Sequence, residues 1–229
     1  MALYTQPTFR MMGDRALAVE LGDEISPAVN QRVQELFIAM DLIGADGIID
    51  LVPSYRSLLV IYNPLCQSPD VIKALIEDIW KNPDPSRLPQ PQTVKIPVVY
   101  GGEHGPDLQQ VAEYHHLTPE AVIGFHTRPI YRVYMIGFTP GYPYLGELRD
   151  EIATPRRETP RIIVPKGSVG IAQKQSGIYP VDSPGGWQII GWTPIKLFDP
   201  DGQPPSRLVM GDRVQFQAIS AQEADHWQA

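Results

Sequence analysis

Proline and glycine divide this chain before any other feature is considered: 17 of its 24 prolines and 15 of its 19 glycines lie beyond residue 88. Each proline removes a backbone donor and fixes one dihedral, and each glycine admits conformations that side chains forbid. Long unbroken helices are therefore excluded from the C-terminal part. Short strands joined by frequent turns, as in a closed or nearly closed β-barrel, suit such punctuation.

The first 88 residues turn rarely and carry longer elements. In "ALAVEL", Leu17, Val19 and Leu21 alternate onto one side, which marks a strand. Ser26-Pro27 then supplies an N-cap followed by proline at the first helical position. Val29, Val33, Leu36, Phe37 and Met40 recur at helical spacing, and Gly44 is the stop. "GIIDLV" and "SLLVIY" read as strands joined around Pro53–Arg56. Ser68-Pro69 repeats the start signal for a helix whose stripe is Val71, Ile72, Leu75, Ile76 and Ile79, ended by Pro83. The order is β-α-β-β-α.

"NPDPSRLPQPQ", residues 82 to 92, has the composition of a semi-rigid linker, so the chain is divided into a small α+β domain, 1–88, and a β-barrel domain, 89–229. "TVKIPVVY" either closes a split β-α-β, ferredoxin-like N-terminal domain or opens the barrel; pattern does not separate the two. Asp107–Leu117 and Thr118–His126 read as short helices. Strands follow at "IYRVYMI", "RIIVP", "SVGIA", "WQIIG", "IKLF" and "RVQFQAI".

Composition narrows the partners. A net charge of −7 argues against nucleic acid, because neutralising phosphates takes clustered Lys and Arg. No apolar run reaches the roughly 18 residues of a membrane span. The start "MALYTQPTFRMMGDR" lacks the apolar core of a signal peptide, so a cytoplasmic protein is expected. The single cysteine, Cys66, forbids an internal disulfide and is expected as a small packing residue. No metal site is expected: His115 and His116 are adjacent on a helix and point apart, and no H-E-x-x-H occurs. There is no G-x-x-x-x-G-K-[ST] phosphate loop and no G-x-S-x-G nucleophile elbow.

Two features rise above this background. Arg156, Arg157, Arg161, Lys166 and Lys174 are opposed in their own stretch only by Glu158. They form either a solvated strand face or an anion site, since Arg offers a planar fork and Lys a point charge. In the second case Arg156, Lys166 and Gln175 line a pocket, with Tyr179 and His126 close by. His126, ending the second short helix, serves either as a structural cap or as a ligand contact. The other feature is "GIYPVDSPGGWQIIGWTP", residues 177 to 194, with one charged residue, Asp182, among glycines, prolines and large aromatics. Gly185 and Gly186 permit positive φ or close packing. Trp187 either plugs the barrel end or is displayed, with Tyr142 and Tyr144 of "PGYPYL", to a partner.

Several long motifs in a constant order carry a resemblance. "GDRALAVEL", "VPSYRSLLVIY", "IPVVYGGEHGPDLQQVAEYHHLT", "GFTPGYPYLGEL" and "TPRRETPRIIVPKGSVGIA" resemble the family of the 5-oxoprolinase B subunit. That family is also described as allophanate hydrolase subunit 1 and includes the bacterial sporulation kinase inhibitor. The chain departs from it at Tyr142, usually Phe, and at "AQKQSG", which keeps Gln175 and Gly177 of a motif usually richer in glycine. The resemblance implies a cyclophilin-like barrel and a subunit of an ATP-dependent 5-oxoprolinase, acting with subunits C and A to open 5-oxo-L-proline to L-glutamate. ATP would then sit at a site shared with a partner. The alternative it implies is a regulator that inhibits a sensor histidine kinase.

Overall fold

A computed structural model describes residues 3–227. The chain forms two compact units that part between Gln90 and Pro91.

In the first unit a four-stranded antiparallel sheet has the order β1-β2-β4-β3: β1 Leu3–Met11, β2 Ala16–Gly22, β3 Ile48–Pro53 and β4 Ser57–Tyr62. Leu17, Val19 and Leu21 of β2, with Leu58, Val60 and Tyr62 of β4, are all buried, as their period of two dictates. The helices α1, Pro27–Ile43, and α2, Pro69–Lys81, start and stop on local chemistry. Ser26 Oγ accepts from the Val29 N–H at 3.3 Å, and Ser68 Oγ accepts from Val71 at 3.4 Å. Gly44 closes α1 in the left-handed conformation, φ 55°, donating its N–H to Met40 O. Val29, Val33, Leu36 and Met40 are buried, but the stripe of α2 is narrower than its sequence suggests. Only Ile72 and Ile76 are buried there, and Val71 faces solvent.

Two expectations fail in this unit. β1 carries Pro7 and no clean alternation, which hides it in the sequence; it holds an edge, where a missing ladder donor is tolerated. Cys66 is an exposed thiol rather than a packing residue, its Sγ accepting from Asn63 Nδ2 at 3.2 Å.

The open choice over "TVKIPVVY" falls to the barrel. As β5, Thr93–Tyr100, it runs parallel to β13, Arg213–Ala218, and antiparallel to β12, Gln188–Trp192. The ferredoxin-like closure expected of that segment does not form, and the edge beside β2 belongs to β1 instead. The second unit is a closed seven-stranded barrel in the order β10-β7-β6-β13-β5-β12-β9. Its remaining strands are β6 Tyr131–Ile136, β7 Pro143–Gly146, β9 Ser168–Ala172 and β10 Gln175–Ile178. Closure satisfies every sheet edge, which lets strands this short form a core around Ile96, Val98, Val133, Leu145, Ile171 and Phe216. Two short helices, α3 Leu108–Tyr114 and α4 Pro119–Thr127, add Leu108, Val111 and Val122 to it.

Two expected barrel strands lie elsewhere. "RIIVP" becomes β8, Arg161–Val164, which pairs only with β11, Ser183–Gly185, in a separate two-stranded sheet and leaves Ile162 87% exposed. "IKLF" forms no strand, only an isolated bridge between Phe198 and Ser206.

Candidate functional site

The aromatic residues of the two glycine-rich stretches pack together. Tyr142, Tyr179 and Trp187 are 1%, 2% and 5% exposed, with half-buried Tyr144 against them. The Tyr142 ring meets Tyr179 edge-on at 5.1 Å and Trp187 at 5.9 Å, and Tyr144 lies 4.9 Å from Tyr142. Such edge-to-face contacts match the electron-rich face of one ring to the rim of the next. Gly177 and Gly185 make this possible. A Cβ on Gly177 would sit 2.5 Å from Tyr142 Oη, and one on Gly185 would strike Tyr179 Oη. Close approach is thus their task; neither Gly185 nor Gly186 has a positive φ. The expected display of Tyr142 and Trp187 on the surface is corrected to internal packing, and Tyr144 alone of the three stays half-exposed.

The basic stretch is arranged around an acid that its own window does not contain. Asp107, buried at the start of α3, accepts from Arg157 Nη1 at 3.0 Å and Arg161 Nη2 at 2.7 Å through Oδ1, and from the Ile189 N–H at 2.6 Å through Oδ2. Arg157 is therefore half of a clamp that ties the 155–161 segment to α3 and β12. Lys174 pairs with Asp150 at 2.6 Å. Lys166 is exposed, its main chain donating to Asp182 and accepting from Trp192 Nε1.

Beside this clamp opens a cleft of about 490 Å³, between Gln110 and Tyr114 of α3, the 154–159 segment and Gln188 of β12. Arg156 and Arg157 both line it, and Glu158 is its acid. Burial pushes the Tyr144 and Tyr179 hydroxyls upward in pKa, and the Arg156 charge acts on both in the opposite sense. Of the residues expected to share one pocket, Arg156 lines this cleft; Lys166, Gln175, Tyr179 and His126 do not. Gln188, which the sequence pattern did not single out, does. Its signal was available as a lone amide inside the apolar run "WQIIG". Gln188 Nε2 donates to Pro155 O at 3.0 Å, while its Oε1 is buried without a partner, as are Arg157 Nε and Arg161 Nη1.

His126 has a different surrounding. It is fully buried at the end of α4, stacked 4.3 Å from Phe216. Tyr100 Oη lies 2.6 Å from Nδ1, Nε2 lies 2.9 Å from Ser176 Oγ, and Ser176 Oγ donates to Gly170 O at 3.2 Å. The final carbonyl can only accept, so the whole chain runs one way: Tyr100 donates to His126, and His126 donates to Ser176. Burial pushes the imidazole down to about 3 and keeps it neutral. His126 lies in the last turn of α4, whose cap is Arg128, and both its ring nitrogens are engaged inside the core. Among the described residues, no three side chains of His, Cys, Asp or Glu gather as metal ligands would, and no helix is long and apolar enough to cross a membrane.

Comparison with known proteins agrees with this architecture. A family model described as carboxyltransferase domain, subdomain C and D, matches residues 7–208. The chain is similar to the 5-oxoprolinase B subunit of Bacillus subtilis, 41% identical over 223 residues that cover 93% of this chain and 92% of that protein. It is likewise similar to the 5-oxoprolinase B subunit of Haemophilus influenzae, 44% identical over 191 residues, 83% of this chain and 89% of that one. Among solved structures it is similar to TTHA0988 with a TM-score of 0.80 and 36% identity, covering 90% of this chain. This chain spans 40% of the length of TTHA0988.

Proposed function

This chain belongs to the family of the 5-oxoprolinase B subunit, and from that premise we propose that it serves as the B subunit of an ATP-dependent 5-oxoprolinase, which opens 5-oxo-L-proline to L-glutamate. The observation that carries this reading is near-full-length similarity to proteins named for that subunit. Its partners would be subunits C and A, and its compartment the cytoplasm. A barrel of the cyclophilin-like kind is the finer description we give its second unit.

The chain's own residues support binding rather than a complete reaction. Arg156 lines the cleft beside the clamp, where its planar guanidinium can take a carboxylate through two parallel hydrogen bonds. Of the serine and threonine hydroxyls paired with a histidine among the described residues, neither has the setting of an activated nucleophile: buried Ser176, beside His126, spends its proton on Gly170 O, and Thr154, 3.0 Å from His115 Nε2, spends its own on Ile152 O. The residues also do not build a triphosphate site. Two of the three arginines are already committed to Asp107, and the sequence has no phosphate loop. ATP would therefore be held largely by another subunit, and no step is routed through it here. Tyr144, half-exposed on the rim of the aromatic cluster, and Gly186, which precedes Trp187 in the chain, are the residues we assign to a partner surface.

Co-expression of this chain with subunits A and C, followed by measurement of glutamate from 5-oxo-L-proline and ATP, tests the reading. The assembled complex is expected to be active and the purified chain inactive. A complex that assembles and leaves 5-oxoproline untouched would refute the substrate; turnover by the chain alone would refute the division of labour.

A further inference from the structure

We infer that the two-stranded ribbon of β8 and β11 is a docking surface for another protein, one that presents an apolar socket with carboxylates at its rim. The ribbon stands apart from the barrel: β8 pairs with β11 and with no barrel strand. Ser183 is opposite Val164 and Gly185 is opposite Arg161, so Ile162 and Ile163 together oppose the single residue Pro184. That bulge breaks the alternation that would turn one of two successive side chains inward. Ile162 is 87% and Ile163 64% exposed. Pro160 and Pro165, which flank the strand, and Pro184 across from it are exposed as well. Surface apolar residues scattered singly are ordinary, but here they form a continuous patch.

The patch is held stiffly. On the inner side of the ribbon Val164 is buried in the aromatic cluster with Tyr179 and Trp187. At one end the Lys166 N–H donates to Asp182 Oδ1 at 2.7 Å and the Gly167 N–H to Tyr179 O at 2.7 Å. At the other end Arg161 Nη2 donates to Asp107, and the Arg157 N–H donates to Gly186 O at 2.8 Å. A surface already fixed loses little freedom when it binds, as suits an anchor.

The same features define what can cover it. Strand addition is disfavoured, because β8 is 4 residues long, bulged and closed at each end by a proline, all devices that blunt an edge against backbone pairing. The partner must therefore read side chains. Charge supplies its sign. Arg156, Arg157, Arg161 and Lys166 are accompanied here by only three carboxylates, Asp107, Glu158 and Asp182, so a positive charge is left over in a chain of −7. A second copy docked about a two-fold axis would set these cations against their own kind. An anionic membrane would repel the chain as a whole and gain two isoleucines. A carboxylate-rimmed apolar socket on a different protein satisfies both the patch and the charge.

The choice of subunits C and A as probes rests on the function proposed above; the surface rests on the ribbon. Binding of each purified subunit to the full chain is measured by calorimetry, and glutamate formation by the assembled complex is measured alongside. The double variant Ile162→Thr, Ile163→Thr keeps β-branched side chains at exposed strand positions, so the fold stands. It is expected to weaken binding of at least one subunit by roughly ten- to a hundredfold in Kd. Lys166→Glu should weaken the same contact by roughly three- to tenfold, with the loss shrinking at high salt. Leu65→Thr, at a comparably bare leucine of the first unit, is the unaffected control. Unchanged Kd for both subunits in the double variant, with glutamate still formed, overturns the ribbon and leaves the function standing. Isoleucine-dependent binding in a complex that makes no glutamate overturns the function and leaves the ribbon. Wild type that binds neither subunit overturns the ribbon whether or not glutamate is formed. Isoleucine-dependent self-association in sedimentation, or isoleucine-dependent binding to phosphatidylglycerol vesicles, in place of subunit binding, would put a second copy or a membrane on the patch and overturns it equally.

Discussion

Two polar networks lie within the barrel unit, and they are built to different rules. The chain from Tyr100 through His126 and Ser176 to Gly170 O uses every donor and acceptor on its path, in one direction, with the imidazole neutral. The network of Asp107, Arg157, Arg161 and Gln188 is charged and leaves three buried polar atoms without partners. A closed network stiffens a core and has nothing left to offer a ligand. An open one costs stability where it stands and keeps its capacity for recognition. Sequence pattern leaves the histidine as either a cap or a ligand contact, and a free histidine titrates near neutrality. Burial removes that property and leaves His126 a neutral link in the core.

The largest effect that would test this contrast comes from the clamp. Asp107→Ala should destabilise the chain by about 3 kcal/mol, because it strands two part-buried guanidinium groups and the Ile189 N–H. Urea unfolding measures this, and a loss under about 1 kcal/mol would show that the arginines find water instead.

The histidine comes next, through pH. Its folded value, about 3, is depressed below the ordinary 6.5, so the unfolded chain takes up a proton that the folded chain refuses. Stability is therefore lost as pH falls below about 6.5 and continues to fall toward 3, at about 1.4 kcal/mol per unit. His126→Phe should remove this slope, making the difference between wild type and variant about 2 kcal/mol smaller at pH 5 than at pH 7. Parallel slopes for the two proteins would mean that His126 is charged in the fold.

Cutting the closed chain at its middle is the next smaller test. Ser176→Ala leaves His126 Nε2 with no acceptor and should cost roughly 1–2 kcal/mol. Gln188→Leu is the counterpart in the open network and should cost least. It removes one bond to Pro155 O together with an orphaned oxygen, so stability should stay within about 1 kcal/mol of wild type. If Gln188→Leu costs more than Ser176→Ala, the contrast between the two networks is lost.

Local structure was legible wherever a rule acts within about one helical turn. Ser26, Ser68 and Thr118 each cap the helix their neighbours announce, and Gly44 ends α1 with the geometry that glycine suits. Alternation in "ALAVEL" set which side chains face inward, while "SLLVIY" is apolar throughout and only the fold picks out Leu58, Val60 and Tyr62. The crowding of proline and glycine beyond residue 88 set short strands and a barrel. Family membership was likewise readable, since it depends on motif order and not on contacts.

Which strand joins which sheet was left to tertiary structure. The same eight residues of β5 would serve either unit by pattern, and pairing with β13, some 120 positions away, decided it. β8 has the composition of a barrel strand and stands outside the barrel, because its partner is β11. The candidate site was less legible for the same reason. Asp107 lies 50 and 54 positions from the arginines it holds, so a window of charge saw only the basic half of a compensated cluster. The glycines announced close packing, but only the fold shows that tyrosine hydroxyls fill the space they leave and turn the aromatic rings inward. Sequence specifies each residue's chemistry and its neighbours along the chain. Burial and long-range pairing depend on where the whole chain closes, and they decide which of that chemistry is used up and which remains available.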